Sequence, residues 1–261
     1  MTTHKNIKLV IVAMLALVVG GGAWWYQQEM KKNAGPQLGQ EEGALPQELR
    51  PFAHVFVFEN LDPNLPEAAR EKYFERFTLA TNALRQDPTA FNAWLELGKM
   101  HKNLNAFEKA RDCWVRLGEV SPMNSISFGN LGDLYAWFLH DAPRGEEAYL
   151  QAIKNEPDDI NFRRNLAEIY AKLMYPDLKN PEHLLKQKEK IVSLLEEAIE
   201  KATADIEKAE MAALLGSYFR DWGDNLNAIA WYKKALAIDP QYPNRNILQE
   251  EIAKLSQDIK K

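Results

Sequence analysis

The chain has 261 residues, a formal net charge of −5, 46% hydrophobic and 26% charged residues, and one cysteine. This composition excludes a wholly disordered or collagen-like chain, and a single cysteine excludes an intramolecular disulfide framework and a cysteine-cluster zinc site. The acidic balance argues against a general nucleic-acid binder, because neutralising phosphates needs a basic surface.

After a short tail over residues 1–8, which carries Lys5 and Lys8, the stretch Leu9–Tyr26 is free of charge and closes on Trp24, Trp25 and Tyr26. As a helix it measures roughly 27 Å, just enough for a hydrocarbon core of about 30 Å. The aromatic trio sits where an interfacial belt belongs. A transmembrane helix over residues 9–26 is therefore expected. The competing reading is a cleaved signal with Gly21-Gly22-Ala23 as the cleavage site, which would leave the protein secreted. The lysine distribution leans towards a cytoplasmic N-terminus and an exported body. Residues 1–32 hold four lysines and one acid, so the rest of the chain carries a net charge of −8. Such a body would not lie flat on an anionic membrane.

Residues 27–50 read as a flexible linker, rich in Gly, Gln, Glu and Pro without a visible period. Residues 51–65 open with Phe52-Ala53-His54-Val55-Phe56-Val57-Phe58, a β-prone run ahead of an all-helical body. It is expected to be an extended strip that covers the first helix's apolar face; docking in a groove or pairing with another copy is the alternative.

From residue 66 a repeat governs the chain. Prolines 88, 122, 157 and 240 each follow an Ala-rich amphipathic helix, with spacings of 34, 35 and 83 residues. A period near 34 with paired helices resembles the tetratricopeptide repeat, whose pattern is W-x2-L-G-x2-Y, then A-x3-F, then P. The first full repeat shows Trp94, Leu97, Gly98, His101 in the Tyr place, Ala110, Trp114 and Pro122. The second shows Phe128, Leu131, Gly132, Tyr135, Tyr149, Ala152 and Pro157, with Gly145 in the alanine place and one residue inserted in its turn. The fourth shows Leu215, Gly216, Phe219, Ala228, Tyr232, Ala235 and Pro240. The third is degenerate: Leu166, Ala167, Tyr170, Leu195 and Ala198 fit, but Arg163 replaces the aromatic. An interruption at 175–181 precedes a long helix from about Glu182 to Lys201, with Asn180 as its N-cap and Pro181 in its first turn.

The resemblance implies an all-α helix-turn-helix solenoid over 66–242, preceded by the single transmembrane or signal helix. Its partial repeat covers 66–90 and its full repeats about 91–124, 125–159, 160–208 and 209–242. Over 243–261, Ile247, Leu248, Ile252, Leu255 and Ile259 recur at helical spacing, which reads as the terminal helix that covers a repeat array's last apolar face.

No catalytic motif is present. The histidines His4, His54, His101, His140 and His183 show no helical metal-pair spacing, and no G-x-S-x-G, Walker A or G-x-G-x-x-G stretch occurs. Cys113 beside Trp114 reads as a buried thiol. No enzyme activity, cofactor or metal is expected.

In tetratricopeptide proteins the first helix of each repeat lines a groove. That pattern places Asn92, Lys99, Asn130, Asp133, Trp137, Arg164, Asn165, Glu168 and Ser217 on the groove, with Trp137 as an exposed aromatic anchor. A subgroup clamps a partner's C-terminal carboxylate with two Lys, two Asn and one Arg; the corresponding places here hold Leu95, Lys99, Asn130, Asn161 and Asn165, of which only Asn130 agrees. The resemblance thus implies a membrane-anchored adaptor that binds a protein or peptide segment, in envelope complex assembly, and not a receptor for chaperone tails. The alternatives are a self-assembling homo-oligomer and an accessory subunit of an enzyme complex such as cytochrome maturation.

Overall fold

The computed structural model describes residues 45–58 and 66–260. The expected transmembrane or signal helix over 9–26 and most of the expected linker lie outside the described residues. Among the described residues no helix is long and apolar enough to cross a membrane. They are all helix and turn, with no strand, and divide into two compact bodies, one up to Ala110 and one from Arg111 onward.

The first body contains a 3-10 helix over Gln47–Phe56, then α1 (Glu67–Gln86), α2 (Phe91–Asn103) and the start of α3 (Phe107–Val120). The 3-10 helix corrects the expectation of an extended strip. An extended strip leaves its backbone N–H and C=O groups unpaired unless a neighbouring strand takes them, and none exists among the described residues. Coiling satisfies them locally and brings Leu49, Val55 and Phe56 to one buried face, with a kink at Phe52 after Pro51.

The segment packs on both following helices. Phe52 and Phe56 meet the Trp94 ring edge-on at 5.4 and 6.4 Å, and Phe58 lies 5.0 Å from Phe77. The buried His101 donates from Nε2 to the Val55 carbonyl at 2.8 Å. Histidine in the repeat's tyrosine place therefore serves to hold the preceding segment.

The second body holds the rest of α3 and seven further helices. α4 (Ile126–Asp133) runs on into a π turn over Leu134–Phe138, and α6 (Ile160–Ile169) into a π turn over Tyr170–Met174. Between and after them come α5 (Ala142–Asn155), α7 (Pro181–Lys201), α8 (Asp205–Asp221), α9 (Asn225–Ile238) and α10 (Arg245–Asp258). Asp141, Asp159, Asn180 and Asp224 cap α5, α6, α7 and α9 by accepting from free amides of the first turn. The π turns absorb extra residues at the ends of first helices. In the second repeat the inserted residue is taken up by the Leu139 amide bonding back to Leu134 and by His140 at φ 54°.

Helix pairs close through a glycine facing a tyrosine. A Cβ built on Gly132 would lie 2.5 Å from the Tyr149 ring, and one on Gly216 2.6 Å from Tyr232. Both rings are buried, so each pair gains roughly 2 kcal/mol of apolar burial that any side chain on the glycine would obstruct.

The third repeat reaches the same end by other means. In the first, the Trp94 indole donates to the Pro88 carbonyl at 2.9 Å. In the third, Arg163 stands in the aromatic's place, is buried, and donates from Nη1 to the Pro157 carbonyl at 2.6 Å and from Nε to Glu197 at 3.2 Å. The guanidinium thus reproduces the indole's hydrogen bond at the same sequence separation.

The long α7 is pinned by Gln187, which is buried, donates to the carbonyls of Ala171 and Tyr175, and accepts from the Trp222 indole at 2.5 Å. α10 buries Leu248 and Leu255 against the α9 side of the core, as a covering helix must.

Replacing Gly132 by Leu places a side chain where the Tyr149 ring lies, and overpacking of this kind costs about 3 kcal/mol. The variant is expected to melt well below the parent. A melting temperature equal to the parent's would contradict the pairing of α4 with α5.

Candidate functional site

α4 and α6 open successive repeats, and α5 returns between them to bring their matching positions side by side. Asn130 and Asn165 stand 35 residues apart at the same place in their repeats, as do Asp133 and Glu168. The same helices bury Leu131, Leu166 and Ala167 on their other face. Helical periodicity thus turns one polar residue per repeat outward at each matching place.

Asn130, Asp133 and Asn165 converge on a cavity of about 200 Å³, completed by Ile126, Gly129, Tyr149 and Phe162. Its polar wall is a hydrogen-bonded chain. Asn165 Nδ2 donates to the Tyr149 hydroxyl at 3.2 Å, and that hydroxyl donates to Asp133 Oδ1 at 2.5 Å. Burial, reinforced by the Asp133 charge, raises the Tyr149 pKa, so the group remains an O–H donor. Asn130 Nδ2 is buried with no hydrogen-bond partner, a state that costs about 1–3 kcal/mol unless an acceptor arrives. The apolar wall exists because Gly129 has no side chain: a Cβ there would lie 2.5 Å from the Phe162 ring.

The other residues expected on this surface have different settings. Glu168 pairs with Lys172 at 2.5 Å, and Arg164 with Glu210 of α8 at 3.4 Å. Ser217 donates to the Leu214 carbonyl within its own helix. Trp137 is the aromatic expected on this surface. It lies on the α4 π turn, half-buried against the core of the second body, with Lys172 Nζ 6.0 Å from its ring centroid.

Asn92 and Lys99 belong to the first body. There they line a separate cavity of about 430 Å³ between α1 and α2, with Leu79, Ala83, Leu95 and the Arg76–Glu96 ion pair.

Tyr149, Ile126 and Phe162 line this cavity, which the repeat pattern does not reveal. Tyr149 occupies a packing place, and only the polarity of its hydroxyl marks a second role. Among the described residues no cluster of His, Cys, Asp and Glu could hold a metal ion, and Cys113 is buried.

Residues 209–242 match the family described as "Tetratricopeptide repeat". The fold is that of tetratricopeptide repeat proteins. Among solved structures, MamA is 15% identical with a TM-score of 0.52, the match covering 70% of this chain and 98% of that one. PilW, described as a widely conserved type IV pilus biogenesis factor, is 17% identical with a TM-score of 0.51, covering 73% and 82%. The C-terminal part of a repeat-containing protein from Cytophaga hutchinsonii is 18% identical with a TM-score of 0.50, covering 66% and 64%. At these identities the likeness shows the fold alone. A search of curated proteins finds no relative of this chain.

Tyr149, Tyr170 and Tyr218 all have raised pKa values through burial, Tyr218 to about 12. A raised folded pKa means that the neutral form is favoured on folding, so this stabilisation is complete below the unfolded value of about 10 and is lost as pH climbs past it. The denaturant midpoint is expected to fall steadily from pH 10 through pH 12, in step with tyrosinate absorbance. A midpoint unchanged across that window would contradict the burial of these hydroxyls.

Proposed function

We propose that this protein is a non-catalytic adaptor that binds an extended protein segment on the first-helix surface of its second body, and that residues 9–26 tether it to a membrane with the repeats on the exported side. The observation that supports binding is the convergence of Asn130, Asp133 and Asn165, from successive repeats, on one cavity. The Asn130 amide brings an unpartnered donor, while Asn165 uses only its Nδ2 inward and has its carbonyl left to accept. One donor and one acceptor side by side match the C=O and N–H of a peptide main chain.

The tether rests on the uncharged run from Leu9 to the aromatic trio at Trp24–Tyr26, and the orientation on Lys5 and Lys8 before it. Envelope complex assembly fits a tethered adaptor with an acidic, exported body. PilW, a type IV pilus biogenesis factor by its description, has the same fold.

One experiment reads both parts. Membranes bearing the full chain are washed with alkaline carbonate, and the protein is then solubilised with whatever it holds after crosslinking. The protein is expected to stay with the membranes. Its partner should be lost with Asn165→Arg and kept with Glu200→Arg, which alters an exposed position on α7. Release by carbonate would contradict the tether, and equal partner recovery from both variants would contradict the site.

A further inference from the structure

The charges around the cavity are unevenly matched. Glu168 has Lys172, and Arg164 has Glu210. Asp133 is half-buried and receives one hydrogen bond, from the neutral Tyr149 hydroxyl; no Lys, Arg or His among the described residues pairs with it. A partly desolvated carboxylate satisfied only by a hydroxyl attracts a cation more strongly than one already paired.

Shape agrees with charge. At about 200 Å³ the cavity is smaller than the ~300–1,000 Å³ of small-molecule pockets and has the scale of one side chain. Ile126 and Phe162 offer an apolar wall for an aliphatic stem, with the carboxylate on the opposing polar wall, which is how lysine and arginine bury their stems and keep their heads polar. The phenyl ring adds an attractive face for a cation.

We propose that this cavity takes a lysine or arginine side chain of the bound segment, with Asp133 as its counter-charge and Asn130 as the donor to that residue's main-chain carbonyl. The proposal rests on the peptide-binding reading above and names the class of segment bound. Long-range charge favours it, since the chain after residue 32 carries a net charge of −8 and attracts basic segments as they approach. It is opposite in polarity to capture of a C-terminal carboxylate. Asn161 and Asn165 are neutral where such a clamp needs cations, and Asp133 would repel the incoming charge. A metal ion would need more than one carboxylate here, and no such cluster exists among the described residues.

The test uses a random peptide library displayed on phage and selected on the full chain in detergent. Retained peptides are expected to align on a lysine or arginine at one fixed place. Asp133→Asn keeps the acceptor for the Tyr149 hydroxyl and removes only the charge. It should melt with the parent and bind the selected peptides about tenfold more weakly, and more so at low salt. Replacing the fixed lysine by norleucine should cost the same tenfold in the parent and almost nothing further in Asp133→Asn. Retained peptides without a fixed basic residue, peptides that need a free C-terminal carboxylate, or an equal norleucine effect in both backgrounds would each overturn the proposal while leaving peptide binding intact. Retention of no peptide at all would overturn the peptide-binding reading itself, and this inference with it. The library composition needs no variant, so the proposal remains falsifiable if Asp133→Asn fails to fold.

Discussion

The Tyr149 ring lies on the bare backbone of Gly132, and much of the second body depends on that contact. A Cβ on the glycine would stand 2.5 Å from the ring, so the absence of one side chain sets how closely α4 and α5 approach. That distance in turn carries the tyrosine hydroxyl through the helix pair to its far side, where it meets Asp133 and Asn165. One residue thus packs with its ring and lines the cavity with its oxygen. Tyr232 on Gly216 repeats the packing half of the arrangement.

The repeat tolerates chemical substitution when geometry is kept. Arg163 is the clearest case: a buried guanidinium stands where the first two full repeats have an aromatic, and it makes the hydrogen bond that Trp94 makes to the carbonyl six residues earlier, with Glu197 offsetting its charge. His101 is another, exchanging a tyrosine's place for a hydrogen bond that secures the 3-10 helix. Extra residues are absorbed at the ends of α4 and α6 as π turns, after the glycine–tyrosine contact of the second repeat. Gln187 then closes the larger interruption by bonding the carbonyls that the second π turn leaves behind.

Much of this was legible in the residues themselves. Gly98, Gly132 and Gly216 with their matching aromatics carry the register, and register alone places Asn130, Asp133 and Asn165 on one face. Two things were not legible. The 52–58 run has the alternation of a strand, but strand pairing is a tertiary event, and no partner strand exists among the described residues. The hydroxyl of Tyr149 is invisible to a pattern that asks only for a large ring. Asn92 and Lys99 line a cavity within the first body, and Asn130, Asp133 and Asn165 one within the second.

The central claim is that Tyr149 joins helix packing to recognition, and Tyr149→Phe separates the two. The phenylalanine ring keeps its place on Gly132, so the loss of stability should be about 1 kcal/mol, as for one hydrogen-bonding hydroxyl. Asp133 and Asn165 then lose the oxygen that holds them in register, and binding of library-selected peptides should weaken severalfold at nearly unchanged melting temperature. Binding equal to the parent's would contradict the account, because the site would then owe nothing to the tyrosine that builds it.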